Sequence, residues 1–331
     1  MQISGSHVLV TGGGGLIGSW VVDQLLEKDV GQIVVVDNFD RGDRSNLTKA
    51  LKSNRVKLIE ADICDRDLMR GLLKDSDGLV HMAAMRITQC EQEPERARDV
   101  MFNAPFNIFL DAAKLKLKRI VAASSSSIYG QAEEFPTTER HHPYNDDTLY
   151  GASKLTVEGI LRAFSKTYDL SSVTMRFFNV YGPRMDIHGV YTEVMVRWME
   201  RIMQGQRPII FGDGTQSMDF TYVADVARSV VAALESDCRD LAFNVGTGKS
   251  TTLKELATTL CEVLDSKLAP EFQPPRGVSP VSYRLADTEL AERVLGFRAE
   301  VGVHEGLRRL VEWWRSQKSL NAELKGCHAQ R

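Results

Sequence analysis

The stretch "YGASK" contains two residue types that acid–base chemistry on an alcohol requires. Tyr150 and Lys154 stand four residues apart, so both side chains project from one face of a helix. An ammonium beside a phenol favours the phenolate, and we expect Lys154 to lower the pKa of Tyr150 toward neutrality. The phenolate would then accept a proton from an alcohol at neutral pH.

A second stretch, "SSSSIYG", places four consecutive hydroxyls at residues 124–127, directly after the apolar segment 120–123. A tyrosine–lysine pair at helical spacing occurs by chance on many surface helices. The pair gains significance here because a strand end that bears serines precedes it, and because a glycine-rich turn opens the chain.

That turn has the spacing of a dinucleotide-binding site. In "VLVTGGGGLIGSWVVDQLL", Gly12, Gly15 and Gly18 lie between a predicted strand and a predicted helix. The missing Cβ atoms would let the backbone approach a pyrophosphate, and the helix N-terminus would supply free N–H groups. A flexible turn without a ligand is the alternative.

Asp37 favours the dinucleotide site, because it ends the predicted strand "IVVVD" about twenty residues after the glycines. A carboxylate there can bond both ribose hydroxyls of an adenosine and would repel a 2′-phosphate. The sequence therefore favours NAD over NADP, although Arg41 and Arg44 nearby keep that preference from being absolute. Asp62, at the end of the third strand, is a candidate adenine contact. With NAD bound, the positive nicotinamide would help the lysine to stabilise a tyrosine phenolate.

Short apolar runs alternate with longer helical patterns over the first 180 residues, which predicts an α/β fold with a Rossmann-type, doubly wound parallel sheet. The runs are nearly continuously apolar, as strands covered on both faces should be. The predicted strands span residues 7–12, 32–37, 56–62, 78–84, 119–125 and 172–179. The predicted helices span 16–28, 66–74, 95–115 and 147–168, and Asp146 or Asp147 can cap the last one.

The pattern changes after Gly182, which predicts a second, smaller lobe. We expect residues 1–181 to form the NAD-binding domain, to which a segment at about 222–248 returns. The remaining segments, 182–221 and 249–317, are expected to form a mixed α/β substrate lobe. A polar tail, 318–331, should fray.

The composition argues against several function classes. With 41 basic and 44 acidic residues, the 331-residue chain has a net charge of −3, so a nucleic-acid partner is not expected. No apolar run approaches the roughly 20 residues that span a bilayer, and the N-terminus lacks the pattern of a secretion signal. We therefore expect a cytoplasmic protein without a membrane partner. The five cysteines are widely spaced, which predicts neither disulfides nor a metal site.

Together, "TGGGGLIG", "VVVDNFDRG", "HMAA", "SSSSIYG", "YGASK", "RFFNVYGPR" and "GDGTQSMDFTYVADVA" resemble the motifs of the extended short-chain dehydrogenase/reductases. The resemblance is to their NAD-dependent nucleotide-sugar epimerase/dehydratase branch and covers about residues 6–316. It implies that Tyr150 is the acid/base and that Lys154 binds the nicotinamide ribose. It also implies NAD contacts at Gly12, Gly15, Leu16, Ile17, Asp37, Asn38, Asp62, Ile63, Ala83, Asn103, Tyr150 and Lys154.

The same resemblance separates the four serines. The catalytic hydroxyl of the family lies four residues before Tyr129, which is Ser125. Ser126 and Ser127 then occupy positions that the sugar dehydratases fill with Asp-Glu, and related decarboxylases typically have Glu at the second. Because net loss of water needs a general acid, the serines favour a 4-epimerase acting on a UDP-hexose or UDP-hexuronate.

On the substrate side the resemblance is only partial. It implies contacts from Arg86, Ser125, Ser126, Asn179, Phe211, Arg276 and Arg284. Met218 stands where the family usually has an arginine for the diphosphate, and a thioether cannot bind an anion. Either other cations hold the phosphates, with Arg276 and Arg284 as candidates, or the substrate is bound differently. The resemblance also implies that Arg284 borders the sugar, where it could meet a C6 carboxylate bidentately, which makes a uronic acid a candidate substrate.

Several functions stay open at this stage. A dehydratase, decarboxylase or reductase of the same family is one alternative to the epimerase, and a non-catalytic dinucleotide sensor or scaffold is another. Family members commonly dimerise through the two long helices that correspond to 95–115 and 147–168 here, so a homodimer is expected.

Overall fold

The computed structural model describes residues 1–187, 194–275 and 282–328, with side chains up to residue 318. Its strands are β1 (His7–Thr11), β2 (Gln32–Asp37), β3 (Val56–Glu60), β4 (Gly78–His81), β5 (Arg119–Ser125), β6 (Ser172–Phe177), β7 (Val180–Tyr181), β8 (Ile209–Phe211), β9 (Ser217–Met218), β10 (Thr221–Tyr222), β11 (Leu241–Val245), β12 (Thr251–Thr252), β13 (Glu271–Gln273) and β14 (Tyr283–Arg284). Its α-helices are α1 (Leu16–Glu27), α2 (Arg66–Lys74), α3 (Ile87–Gln92), α4 (Pro94–Ala97), α5 (Ala104–Lys114), α6 (Leu149–Tyr168), α7 (Val194–Met203), α8 (Val223–Glu235), α9 (Leu253–Val263), α10 (Glu289–Leu295) and α11 (Val303–His328).

Seven parallel strands form the central sheet, in the order β11-β6-β5-β4-β1-β2-β3. The chain starts at β1 in the middle of the sheet and winds outward in both directions, which confirms the predicted Rossmann-type fold. Neighbouring residues of β1 enter different cores, because successive strand side chains point to opposite faces: Val8 and Val10 pack with α1 and α8, whereas Leu9 packs with α2, α5 and α6. Covered on both sides, the sheet presents its functional groups at the carboxyl ends of its strands.

The segment after β10 contributes to this sheet. Helix α8 packs against α1, and β11 pairs with β6 along a register that joins Phe243 to Met175. The proposed division into domains 1–181, 182–221 and 249–317 remains a prediction.

A separate apolar core holds the remaining elements. Trp198 of α7, Leu256 of α9 and Trp314 of α11 pack together there, beside small sheets of two or three strands. Helix α11 continues to His328, so the backbone is helical in a segment whose sequence predicted fraying.

Two helical predictions differ in detail from the structure. The stretch predicted as one helix over 95–115 is divided by a π-helical turn at Arg98–Asn103, just before Pro105. Proline has no N–H to donate, so the regular hydrogen-bond ladder cannot continue through it. The N-cap of α6 is Thr148, whose Oγ1 accepts the Gly151 N–H at 2.9 Å, while Asp146 accepts bonds from the backbone and hydroxyl of Thr148.

Candidate active site

The glycine turn between β1 and α1 shows why each glycine is needed. Gly12 has a φ of +69°, and a Cβ there would lie 2.6 Å from the Ala83 nitrogen. A Cβ on Gly18 would lie 2.2 Å from the Gly12 carbonyl oxygen. A Cβ on Gly15 would meet only that same oxygen, at 3.2 Å, so the protein itself leaves room at this position. Gly12 and Gly18 are therefore required by internal packing, whereas Gly15 leaves space for a ligand at the start of α1.

This turn forms one wall of a cavity of about 300 Å³, called here the first cavity. The lining includes the predicted cofactor residues Gly12, Gly15, Leu16, Ile17, Asp37, Asn38, Asp62, Ile63, Ala83, Tyr150 and Lys154. Asn103 is different: it is exposed, lies outside the lining, and its amide donates to Asp99 Oδ1 at 3.0 Å, one turn back along the chain. The motif placed Asn103 near the cofactor, but its side chain folds onto its own helical segment.

Asp37 is only 7% exposed and keeps acceptor capacity for a ligand. Its Oδ2 accepts the Gly14 N–H and its Oδ1 accepts the Phe39 N–H, each at 2.8 Å. Each carboxylate oxygen has a further lone pair, so ribose hydroxyls could still bond to it. Arg44 pairs with Glu60.

Asp62 also lines the first cavity and pairs with Arg96. Burial disfavours its charged form, but the Cys64 N–H and the Arg96 guanidinium outweigh that effect and hold the pKa of Asp62 below its ordinary value. The sequence gave no signal for this pairing, since Arg96 is 34 residues away along the chain.

A second cavity, of about 550 Å³, adjoins the first, and Tyr150 lines both. Ser125, at the end of β5, and Tyr150, in the first turn of α6, both line the second cavity. Lys154 lies one turn further along α6 and faces the first cavity. The parallel sheet thus brings together the three residues that sequence patterns singled out.

The protonation behaviour of the pair differs from the sequence expectation. Burial raises the pKa of Tyr150, while Arg41, the Ser125 hydroxyl and Arg284 act in the opposite direction. Lys154 is not among the main causes of this shift, and its expected effect together with a bound nicotinamide stays a prediction. The Lys154 Nζ donates to the Ala123 carbonyl at 3.1 Å and lies 5.5 Å from the tyrosine ring centroid.

Lys154 itself is strongly desolvated. It is 3% exposed, and burial, followed by the positive charge of Arg41, lowers its pKa to about 8. The Lys154 ammonium therefore donates toward the end of β5, where it could also donate to a cofactor ribose.

A buried network of polar side chains holds the first serine of the run. Ser124, 2% exposed, donates to Glu158, and Glu158 receives two bonds from Arg176 at 2.9 and 2.6 Å. Arg176 also donates to the Tyr129 hydroxyl at 2.8 Å. Sequence analysis missed Glu158 and Arg176. The position of Glu158, one helical turn after Lys154, was the available signal.

The other serines face the second cavity. Ser125 Oγ accepts the Ser127 N–H at 3.1 Å, which caps a short 3-10 turn at Ser126–Tyr129. Ser126 Oγ accepts a bond from Arg284 Nη1 at 3.3 Å. The serine run is thus held from both ends by polar bonds.

The predicted substrate residues divide into three groups. Arg86, Asn179 and Arg284 line the second cavity with Ser125 and Ser126. Phe211 lies in β8, outside that lining, where it pairs with Gln273 of β13. Arg276 lies outside the described residues.

Two of the cavity residues have environments that bear on a ligand. Arg86 pairs with Asp186 at 2.5 Å. Asn179 has a φ of +20°, and its Oδ1 is buried with no hydrogen-bond partner among the described residues. This oxygen can therefore accept a hydrogen bond from a substrate hydroxyl or amide.

Met218 and Arg284 are register partners in the parallel pair of β9 and β14. Directly paired residues of parallel strands project from the same face of a sheet. The guanidinium of Arg284 therefore lies on the strand next to Met218, the position at which the family usually has an arginine.

The charge of the second cavity is one-sided. Its described lining contains Arg41, Arg86, Arg197 and Arg284, and neither Asp nor Glu. Such a lining suits an anionic ligand. In the described ranges, no group of His, Cys, Asp and Glu side chains is arranged to hold a metal ion, and no helix there is long and apolar enough to cross a bilayer.

The family model described as the NAD dependent epimerase/dehydratase family matches residues 8–246. The chain belongs to this family. Among curated relatives, it is 34% identical to the UDP-glucose 4-epimerase of Mycolicibacterium smegmatis, over 94% of this chain and 99% of that protein. It is also 29% identical to a UDP-N-acetyl-alpha-D-glucosaminuronate decarboxylase of Bacillus cytotoxicus, over 93% and 97% of the two chains.

Solved structures show the same fold. A UDP-N-acetylglucosamine 4-epimerase from Methanobrevibacter ruminantium, in complex with UDP-N-acetylmuramic acid, superposes with a TM-score of 0.89 at 32% identity, covering 95% of this chain and 99% of that one. The UDP-glucuronic acid 4-epimerase of Bacillus cereus, in complex with UDP-glucuronic acid and NAD, gives 0.85 at 25% identity, with 94% and 99% covered.

The cofactor of this enzyme is NAD. The residues of the first cavity fit that molecule: Gly15 leaves room at the start of α1, where free N–H groups suit a pyrophosphate, and Asp37 offers lone pairs for a ribose.

Proposed function

We propose that this enzyme is a nucleotide-sugar 4-epimerase that acts on a UDP-hexose or a UDP-hexuronate. The proposal depends on one observation above all. Ser125 and Tyr150 line one cavity whose described lining contains no carboxylic acid. An alcohol can be oxidised and re-formed there, but loss of water lacks a side-chain acid.

NAD, held by Gly15, Asp37 and Lys154 of the first cavity, would supply the acceptor and then the donor of the C4 hydride. Tyr150 accepts the proton of the C4 hydroxyl, and Ser125 holds the substrate oxygen through its own hydroxyl. When the hydride returns, Tyr150 gives the proton back. No atom is gained or lost, so the product is an isomer of equal mass.

The environment of Tyr150 determines when it can act as a base. Its burial opposes ionisation, so the nearby cations Arg41 and Arg284 must favour the phenolate. Lys154 lines the first cavity. Its ammonium group would donate to the nicotinamide ribose as well as to the Ala123 carbonyl, and its positive charge would add to that of the two arginines. The catalytic tyrosine is thus tuned by several cations rather than by the lysine alone.

The second cavity suits the sugar diphosphate in volume and charge. Its volume of about 550 Å³ lies within the usual range for small-molecule pockets and leaves room for a keto sugar to turn over. Asn179, through its amide nitrogen, and Arg197 are proposed diphosphate contacts, in place of an arginine at Met218.

Arg284 favours the hexuronate. Arg86 is paired with Asp186, whereas Arg284 bonds to Ser126 beside the reacting groups. A guanidinium there can meet a C6 carboxylate with a pair of parallel bonds. The similarity to a UDP-glucuronic acid 4-epimerase supports the same substrate.

The direct test is incubation with UDP-glucose, UDP-N-acetylglucosamine, UDP-glucuronate and UDP-xylose, with products resolved by chromatography and proton NMR. We expect a C4 epimer of equal mass from at least one of them and no accumulation of NADH. Release of water or CO₂ would instead identify a dehydratase or a decarboxylase. Tyr150→Phe should abolish turnover, whereas a dinucleotide sensor would be indifferent to it.

We also propose that the enzyme is a homodimer and that α5 and α6 form the contact. Phe106 and Tyr168 are exposed on these helices. Phe164 contacts both, tilted against Phe106 and edge-to-face with Tyr168, with centroid distances of 5.8 and 5.5 Å. Sedimentation of the purified protein tests this, and Phe106→Glu should shift it to the monomer.

A further inference from the structure

The loops that follow β2 and β4 stand on either side of the glycine turn. The strand order β4-β1-β2 requires this placement, because the turn follows β1. The loop 38–43 comes after β2, and Ala84 and α3 come after β4. Any bond that joins these two segments therefore lies beside the space above the turn.

Two hydrogen bonds join them. Gln89 of α3 donates its amide to Asp40 Oδ2 at 3.1 Å, and Arg41 Nη1 donates to the Ala84 carbonyl at 3.3 Å. Asp40, Arg41 and Ala84 all line the first cavity. Gln89, Asp40, Arg41 and Ala84 are called here the cofactor strap, and the last three form part of the cavity wall.

The base of the same loop is fixed independently of the strap. The Phe39 N–H bonds to Asp37, and the Asp43 N–H bonds to the Gly14 carbonyl at 3.1 Å. The Asn46 amide donates to that same carbonyl at 2.9 Å. Breaking the strap would therefore free the tip of the loop and leave its base attached to the glycine turn.

We propose that the cofactor strap retains NAD in the first cavity between turnovers. Each of its bonds has one charged partner, which strengthens it, but both bonds are exposed to solvent. The strap can thus open without unfolding the sheet. An enzyme that recovers its cofactor in the starting oxidation state has no need to release it, so slow exchange carries no cost to turnover.

The test measures release of NAD from the holoenzyme without any substrate, so its outcome is independent of the proposed epimerisation. The enzyme is loaded with ¹⁴C-labelled NAD and chased with excess unlabelled NAD, and the bound label is followed by gel filtration. We expect Asp40→Ala and Gln89→Ala each to accelerate release about fivefold, the effect of losing one hydrogen bond.

The double variant distinguishes the bond from two separate effects. Because Asp40 and Gln89 act through each other, Asp40→Ala with Gln89→Ala should release label no faster than either single variant. Arg41→Met breaks the bond to the Ala84 carbonyl. In the double variant with Gln89→Ala, the increase in the release rate should equal the product of the two single increases. Arg44→Ala is the matched control: it removes a cation of the neighbouring segment that pairs with Glu60, and it should leave release unchanged.

Two results would overturn the proposal. One is release from Asp40→Ala and Gln89→Ala at the wild-type rate. The other is a double variant whose factor equals the product of the single factors, which would mean that the two residues do not act through their bond. Both side chains are partly or fully exposed, and thermal unfolding of the apoenzymes should confirm that the variants fold.

Discussion

Replacing Arg284 by leucine should separate acidic from neutral sugar substrates. The guanidinium lies in the wall of the second cavity and donates to Ser126 Oγ at 3.3 Å, beside Ser125 and Tyr150. A hydrogen bond to a charged group contributes about 1.5–3 kcal/mol, so its loss should lower kcat/KM for UDP-glucuronate roughly 10- to 150-fold. UDP-glucose has no carboxylate, so its kcat/KM should fall by a smaller factor, set only by the loss of the Arg284 charge beside Tyr150.

The assay measures initial rates on both substrates by chromatography for the wild type and three variants. Arg284→Lys keeps the charge but not the planar fork, so it should retain part of the preference for UDP-glucuronate. Ser126→Ala removes only the hydroxyl that the arginine contacts and should affect both substrates equally. Should Arg284→Leu reduce both substrates by the same factor, the carboxylate assignment is wrong, and the arginine serves the diphosphate or the tyrosine instead.

Three further predictions follow from the packing and the buried charges. Gly18→Ala should destabilise the apoenzyme by several kcal/mol, because the new Cβ would lie 2.2 Å from a carbonyl oxygen, whereas Gly15→Ala should unfold at nearly the wild-type temperature and bind NAD more weakly by calorimetry. The folded-state pKa of Lys154, about 8, lies below its unfolded value, so the folded apoenzyme loses this proton first. Its free energy of unfolding should therefore gain from this group as the pH rises from about 8 to about 10.4, and urea titrations should find that gain absent in Lys154→Met. Glu158→Gln leaves the buried guanidinium of Arg176 without its anion and should lower the free energy of unfolding in urea by about 3–5 kcal/mol. An unchanged urea midpoint would show that this ion pair does not stabilise the fold.

The fold was predictable because its signals are local and repeated. Nearly continuous apolar runs such as "HVLVTG" are typical of strands covered on both faces, and the structure has β1 at the centre of a seven-stranded parallel sheet. The helix over 95–115 was predicted as continuous because its apolar spacing persists, but Pro105 interrupts the hydrogen-bond ladder.

The candidate site was predictable where motifs fix residues to strand ends. Gly12, Asp37 and Tyr150 line one cavity because parallel strands bring their carboxyl ends to one edge. Side-chain direction was not predictable from the same motifs. Asn103 folds back onto Asp99, and Phe211 lies on a small sheet outside the second cavity.

Charge interactions across the chain were the least accessible to sequence analysis. The expectation for the Tyr150 pKa considered Lys154, four residues away, and the nicotinamide, yet the protein cations that favour ionisation in the structure are Arg41 and Arg284. Their separation from Tyr150 along the chain exceeds 100 residues on both sides. The sequence indicates only a possible effect of Arg41 on a 2′-phosphate. Its electrostatic effect on Tyr150 depends on the conformation of the loop after β2, which the motifs do not predict.

Transfer of the C4 hydrogen tests the central claim most directly. A UDP-sugar that the enzyme converts is prepared with deuterium at C4 and incubated in ordinary water, and the epimer is analysed by mass spectrometry and proton NMR. The account predicts that the deuterium stays at C4 of the product, on the opposite face. Exchange of the label with solvent hydrogen, or a product that has lost water or CO₂, would contradict it.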